Sequence, residues 1–338
     1  MQANESLRDV LIVGGGPVGL FAAFYAGLRG LSVRVIEALE QLGGQLVTLY
    51  PEKYIYDVAG FPKIKAKDLV ANLITQAQTF QPEFVLGERA EELRRLNDGT
   101  YEVRTPKGVH HGRAVIITTG VGAFKPNTLD RPGVKEYEGR GVFYFVRNPE
   151  DFRGKRVLVV GGGDSAVDWA LSLEPIARKV TLIHRREGFR AHEASVQALF
   201  ASGVTVKTHY ELKEVRGDGQ RVTEVVIFQN QTGEEETLPV DAVILALGFK
   251  SDPGAVKRWG LAFEGRYIKV NPRMETNLPG VFAAGDAVFV EGMGNLKLLA
   301  VGFGQAAIAV NSAKTFLDPS ARFMPGHSSS MDLSQKAR

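Results

Sequence analysis

The same strand, turn and helix unit occurs twice in this chain, 147 positions apart and in register. Val10-Leu-Ile-Val-Gly14-Gly-Gly16-Pro17-Val-Gly19 is answered by Val157-Leu-Val-Val-Gly161-Gly-Gly163-Asp164-Ser165-Ala166. Each is the apolar run of a buried strand feeding a G-x-G-x-x-[GA] turn. Each is followed by an apolar helix and a second strand, at residues 31–37 and 179–184. One such turn is a weak signal; a matched pair, each in strand–turn–helix context, predicts two dinucleotide-binding folds. The glycines have separate tasks. Gly14 and Gly161 permit the tight turn, Gly16 and Gly163 let the backbone approach a pyrophosphate, and Gly19 or Ala166 lets helix pack on strand. Pro17, or Asp164 and Ser165, then opens a helix whose N-terminus holds phosphate charge.

The copies differ at the end of the second strand. Both ends fall 23 residues past the first glycine, where one copy has Glu37 and the other His184-Arg185-Arg186. A carboxylate there accepts the hydroxyls of an adenosine ribose and repels a 2′-phosphate, which instead suits guanidinium forks. The first unit therefore suits an unphosphorylated dinucleotide and the second suits NADP. Arg190 offers a third cation, although its spacing also fits a helix surface. Two dinucleotides on one chain imply electrons passing between FAD and a nicotinamide.

Bulk properties exclude several classes. The 338 residues suffice for two ordinary domains. Apolar and charged fractions of 44% and 23% are those of a globular protein. A net charge of +3 without a long basic run gives no support to nucleic-acid binding. No apolar stretch is long enough for a membrane span, and the start lacks a signal core, so a cytoplasmic location is expected. The longest apolar segments, 17–28 and 298–310, read as buried helices. The chain has no cysteine, which rules out disulfides, a cysteine-held iron–sulfur cluster and an internal dithiol. The six histidines show no metal-ligand spacing, and His110-His111, flanked by Gly108 and Gly112, reads as an exposed hairpin turn.

A second echo sets the domain order. Ala114-Val-Ile-Ile-Thr-Thr-Gly120 and Ala242-Val-Ile-Leu-Ala-Leu-Gly248 are matching apolar strands that end in glycine, one before each crossing between domains. The expected fold class is α/β, with two Rossmann-like domains of the three-layer ββα type. An NADPH-binding domain, 122–249, is inserted into an FAD-binding domain made of 1–121 and 250–338. Gly120, Gly122 and Gly248 would supply permissive hinges. In the resumed segment, Val281-Phe-Ala-Ala-Gly285-Asp286 is a short strand ending in Gly-Asp.

The paired glycine turns, Gly43-Gly-Gln45-Leu46, Ala-Ala-Gly285-Asp286 and His184-Arg-Arg-Glu-Gly-Phe-Arg190 resemble the thioredoxin-reductase family of flavoproteins over nearly the whole chain. Those reductases carry a Cys-x-x-Cys in the NADPH domain, where Gly141-Val-Phe-Tyr-Phe-Val-Arg147 here has none. The sequence is most similar to the dithiol-free subgroup, the ferredoxin/flavodoxin NADP reductases, through residues 49–57 and Ala300-Val-Gly-Phe-Gly304. The bacillithiol-disulfide reductase type is expected to have a cysteine in its first glycine turn, where this chain has Val18.

The resemblance implies specific roles. Glu37, Gln45 and Asp286 would hydrogen-bond FAD, Ala90 would meet its adenine end through the backbone, and Phe124 would line the site. Tyr50 would stack on one flavin face. His327 of a carboxy-terminal extension, with Ser329 nearby and Phe323 as the fallback, would cover the other face across a homodimer. The implied activity is that of a ferredoxin–NADP(+) reductase, passing electrons between NADPH and ferredoxin or flavodoxin, with no acid/base pair. Asp57, Glu291 and Lys297 are expected in structural ion pairs. A flavin oxidase and a non-enzymatic NADP sensor are the other classes. Intact glycine turns argue against the sensor, and rates with oxygen against those with an iron–sulfur protein separate the rest.

Overall fold

The two glycine turns end the central strands of two sheets built to one plan. The computed structural model describes residues 7–324, 326 and 327, except 121, 147 and 253. It divides into two units, one formed by the chain up to Phe124 and from Ser251 onward, the other by Lys125–Lys250.

In the first unit, parallel strands run in the order Glu83–Val85, Val33–Ile36, Arg8–Val13, Val109–Ile117 and Val281–Ala283. In the second the order is Thr205–Thr208, Lys179–His184, Arg156–Val160, Ala242–Leu245 and Val142–Phe143. The correspondence is strand for strand. Each unit adds antiparallel strands, Glu92–Arg95 and Tyr101–Arg104 in the first, and Tyr210–Gly217, Val222–Gln229 and Glu235–Pro239 in the second. Near-continuous apolar runs are required because a parallel sheet is covered on both faces. Val10, Leu11 and Ile12, like Leu158 and Val159, are fully buried. Helices Pro17–Leu28, Ala66–Gln78 and Leu299–Leu317 pack together in the first unit and cover its sheet. The crossing strands Ala123–Pro126 and Phe249–Asp252 pair with each other. Gly120, Gly122 and Gly248 beside them have φ of +60°, +94° and +80°, the left-handed region glycine tolerates.

Two expectations are corrected. His110 and His111 lie within strand Val109–Ile117, not in a turn, and His110 is only 7% exposed. The turn comes earlier, closed by the Thr105 N–H donating to the Gly108 carbonyl at 2.9 Å. Gly112 is there for packing, since a Cβ would lie 2.5 Å from Leu11 Cγ. His110 Nδ1 faces Arg34 Nη1 and its Nε2 faces the Glu88 carboxylate, each at 3.3 Å. Arginine only donates, so Nδ1 accepts and Nε2 carries the hydrogen toward Glu88. The second correction is length. The last helix continues past Val310 to Leu317, because the polar residues that suggest an end find partners. Ser312 Oγ donates to the Arg273 carbonyl at 2.7 Å, and Asn311 Nδ2 meets the Tyr25 hydroxyl at 3.4 Å.

Among the described residues no helix is long and apolar enough to cross a membrane. Nor does any group of three histidines or carboxylates among them gather to hold a metal ion.

Candidate functional site

Gly14 has φ +110°, and a Cβ there would sit 2.5 Å from the Thr118 carbonyl oxygen. The turn is clamped from behind: the Thr118 hydroxyl donates to the Gly14 carbonyl at 2.8 Å, and the Gly14 N–H to the Ile36 carbonyl at 2.9 Å. A Cβ on Gly16, in contrast, would meet nothing within 4 Å. Gly16 caps helix Pro17–Leu28 without any side-chain hydrogen bond. Pro17 has no N–H, and no side-chain cap takes the first helical N–H groups that follow it, as an anion site requires.

Glu37 lies at the matching strand end and is 7% exposed. Its carboxylate accepts the Gly15 N–H at 2.6 Å and the Leu39 N–H at 2.8 Å. Burial pushes its pKa up against those hydrogen bonds. With the Ala38 N–H also bonded to it, the carboxylate keeps one acceptor position free for a ribose hydroxyl. Residues 85–88 are zipped to 37–39 by three backbone bonds: Glu37 N–H to Val85, Gly87 N–H to Leu39 and Glu88 N–H to Glu37, at 2.8, 2.9 and 3.0 Å. That pairing leads the chain to Ala90 on the side where Glu37 ends.

At the other end, Gln45 hydrogen-bonds Asp286, which stands in the short turn Gly285–Ala287. Burial raises the Asp286 pKa, with Lys297 and Gln45 opposing it. The Tyr50 pKa is raised by burial first and then by the charge of Asp286. Three residues assigned to one cofactor thus converge, and a cavity of about 200 Å³ opens beside them against Thr119, Gly120 and Ala287. The Thr48 hydroxyl, on the short helix Gln45–Leu49 that Tyr50 follows, is buried with no partner among the described residues. A buried hydroxyl without a partner is costly, and a polar cofactor supplies one. Open space at Gly16, free helix N–H groups and this hydroxyl fit FAD. No motif pointed to Thr48, to Gln305, whose side chain accepts the Gly285 N–H at 2.8 Å, or to Asn295, which donates to the Asp286 carbonyl at 3.4 Å. The Phe124 side chain and Ser329 lie outside the described residues. His327 is exposed, and Phe323 lies under the Arg273 guanidinium, 4.7 Å from it.

In the second unit a cavity of about 520 Å³ is lined by Gly161, Gly163, His184, Arg185, Arg186 and Arg190, among others. Gly161 has φ +153°, with a would-be Cβ 2.3 Å from the Ala246 carbonyl, whereas a Cβ at Gly163 would meet nothing. Helix Asp164–Leu173 starts there with no side-chain cap hydrogen bond, and Ser165 belongs to its first turn. The three arginines are exposed. None of them forms an ion pair among the described residues. His184 plays a different part. Its ring would lie 2.3 Å from a Cβ on Gly162, so the middle glycine, which the motif leaves unspecified, is required by packing. His184 Nε2 faces the Gly188 carbonyl at 3.2 Å, and its ring packs on Phe189. Burial lowers its pKa, and the neighbouring arginines add to that. The ring is therefore a neutral spacer at neutral pH, and the arginines carry the charge. The arginine loop is pinned at two points: the Arg190 N–H donates to the Gly162 carbonyl at 2.7 Å, and the His192 N–H to the Asp164 carboxylate at 3.0 Å.

The family model described as pyridine nucleotide-disulphide oxidoreductase matches residues 8–313. A relative named ferredoxin–NADP reductase from Sulfurisphaera tokodaii is 55% identical, covering 97% of this chain and 99% of its own. One of the same name from Geobacillus thermodenitrificans is 52% identical, covering 98% and 99%. Among solved structures, the thioredoxin reductase of Lactococcus lactis matches with a TM-score of 0.73 at 28% identity, covering 92% and 99%. That of T. acidophilum gives 0.73 at 29%, covering 91% and 98%. With two glycine turns on twin sheets and a match spanning both units, the chain belongs to the pyridine nucleotide-disulphide oxidoreductase family.

Proposed function

We infer that this protein is an FAD-dependent ferredoxin–NADP reductase, moving electrons between NADPH and a one-electron carrier, ferredoxin or flavodoxin. The observation that carries the reading is an arginine-rimmed nucleotide cavity in a chain without a single cysteine. Such a chain has no dithiol to pass electrons to a disulfide. The names of its relatives, at 51–55% identity, support the same carrier.

FAD, when bound, supplies the conversion between two-electron and one-electron chemistry. The chain's residues position it. The turn at Gly14 and Gly16 holds the pyrophosphate, Glu37 the ribose, and the backbone at Ala90 the adenine end. Gln45 and Asp286 hold the ribityl end, Tyr50 stacks on the rings, and Phe124 lines the site. For NADPH, Gly161, Gly163, Ser165 and Ala166 form the pyrophosphate turn, while Arg185, Arg186 and Arg190 take the 2′-phosphate. Asp164 anchors the arginine loop, and His184 shapes it. No side chain is needed as acid or base. The protein works in the cytoplasm.

The test is steady-state reduction of cytochrome c by NADPH with purified ferredoxin or flavodoxin added. A rate that depends on the carrier is expected. A rate indifferent to carrier but dependent on oxygen would point to an oxidase, and none at all to a sensor.

We also propose a homodimer in which His327 of one subunit, with Ser329 beside it, covers the flavin of the other. A chain stopped after residue 325 is then expected to keep FAD and the dimer. FAD is kept because ring stacking contributes only about 0.5–1.5 kcal/mol beyond area burial, whereas flavin fluorescence and reaction with oxygen would increase because the flavin face is opened to solvent. An unchanged flavin spectrum with unchanged rates would remove His327 from the site.

A further inference from the structure

We propose that the face carrying Lys257, Arg258, Arg266 and Lys297, with the apolar loop at Leu296, docks a small electron-carrier protein through a carboxylate-rich surface. This rests on the electron-transfer reading above and locates where the carrier meets the first unit.

Lys257, Arg266 and Lys297 gather beside Asp286, and Arg258 follows Lys257 at the end of the short turn Gly254–Arg258. Lys257, Arg266 and Tyr267 line the cavity beside Asp286. Strand Tyr267–Val270 runs parallel to Val288–Val290, with Ile268 opposite Val288, which brings Tyr267 alongside the residues that follow Asp286. The Arg266 and Lys297 cations lie 5.2 and 5.1 Å from the centre of the Tyr267 ring. Arg266 Nε also donates to the Tyr267 hydroxyl at 3.1 Å. Both charges are thus held in place by a neutral ring. Lys257, Arg258 and Arg266 form no ion pair among the described residues, whereas nearby Lys269 is paired with Glu291 at 3.3 Å and Arg273 with Glu275 at 3.5 Å.

The apolar part adjoins them in sequence and space. Met293, Leu296 and Leu298 are 77%, 55% and 42% exposed, and the last two flank Lys297. Their loop is anchored: Asn295 Nδ2 donates to the Val288 carbonyl at 2.5 Å, and the Met293 N–H to the Val290 carbonyl at 3.0 Å. Large apolar side chains held out in water on an anchored loop, next to unpaired cations, have the composition of a protein interface. A free anion would leave the three apolar side chains uncovered. A second copy of this chain, meeting the face with itself, would set like charges against each other. A carboxylate-rich protein answers both features, and here it would reach the Tyr50 and Asp286 end of the flavin site.

The test uses the flavin-loaded full chain, with purified ferredoxin as the probe and neutral menadione as the control acceptor. Arg258→Glu/Met293→Glu, at two exposed positions outside the cavity lining, should raise the KM for ferredoxin about tenfold at low ionic strength, with the menadione rate unchanged. Leu296→Ser should raise it less and keep its salt dependence. Should the double variant fail to fold, the unsubstituted protein still decides, because its KM for ferredoxin should climb steeply with salt. An unchanged KM in both variants, or a flat salt series, overturns the proposal. So does an equal rise in the KM for NADPH, or elution of the variant as a smaller species, which would make the face a copy-to-copy interface. If the unsubstituted protein reduces menadione but neither ferredoxin nor flavodoxin, the functional reading itself falls, and the docking face with it.

Discussion

Replacing Arg185 and Arg186 together with alanine should weaken NADPH binding severely while leaving NADH nearly unaffected. The two guanidiniums stand on the rim of the second unit's cavity without an ion-pair partner among the described residues. A charged hydrogen bond contributes about 1.5–3 kcal/mol, so each guanidinium removed from the phosphate should lower affinity roughly tenfold to a hundredfold. NADH has no 2′-phosphate, so its dissociation constant is the internal control, and titration calorimetry with both coenzymes reads the difference. Equal losses would show that the arginines act on the pyrophosphate or only on the loop. Asp164→Ala should give a milder version of the same selectivity loss. It releases the His192 N–H, which helps hold the arginines over the glycine turn.

Gly19→Ala should cost the first unit stability and FAD, even though the twin position in the second unit is an alanine. A Cβ at Gly19 would lie 1.9 Å from the Gly14 carbonyl oxygen and 2.8 Å from the Thr118 hydroxyl. Both atoms belong to the clamp that shapes the turn, so the helix must move or the clamp must open. Overpacking of this kind costs about 1–3 kcal/mol, and a displaced helix N-terminus also spoils the phosphate site. The expected sample unfolds at lower temperature and is purified with less than one FAD per chain, measured by differential scanning calorimetry and flavin absorbance. The reciprocal change, Ala166→Gly, removes only a buried methyl and should leave NADPH binding close to normal. A Gly19→Ala protein that keeps full FAD and its melting temperature would mean that the helix has room the structure does not show.

The duplicated nucleotide fold and the ends of its two sites are legible in the order of the amino acids alone. Left-handed φ is a backbone requirement at Gly14 and Gly161, and the close approach of a pyrophosphate asks for a bare Cα at Gly16 and Gly163, so all four announce the turns before any contact is known. The strand-end difference between Glu37 and the arginines is equally local, because a strand of known register must bring its last residue to the nucleotide. What lies between distant segments was not legible. Gln45 and Asp286 meet through the packing of a five-residue helix beside a turn from the far end of the chain. Gly112 reads as a turn residue until Leu11 is seen against it, and Gly162 reads as a spacer until His184 is seen against it. His110 likewise looked exposed because its partners, Arg34 and Glu88, come from other elements. Backbone conformation is written residue by residue, so the sequence carries it openly. Which side chain fills the space above a glycine, or satisfies a buried polar atom, depends on strands and helices that only the tertiary structure brings together.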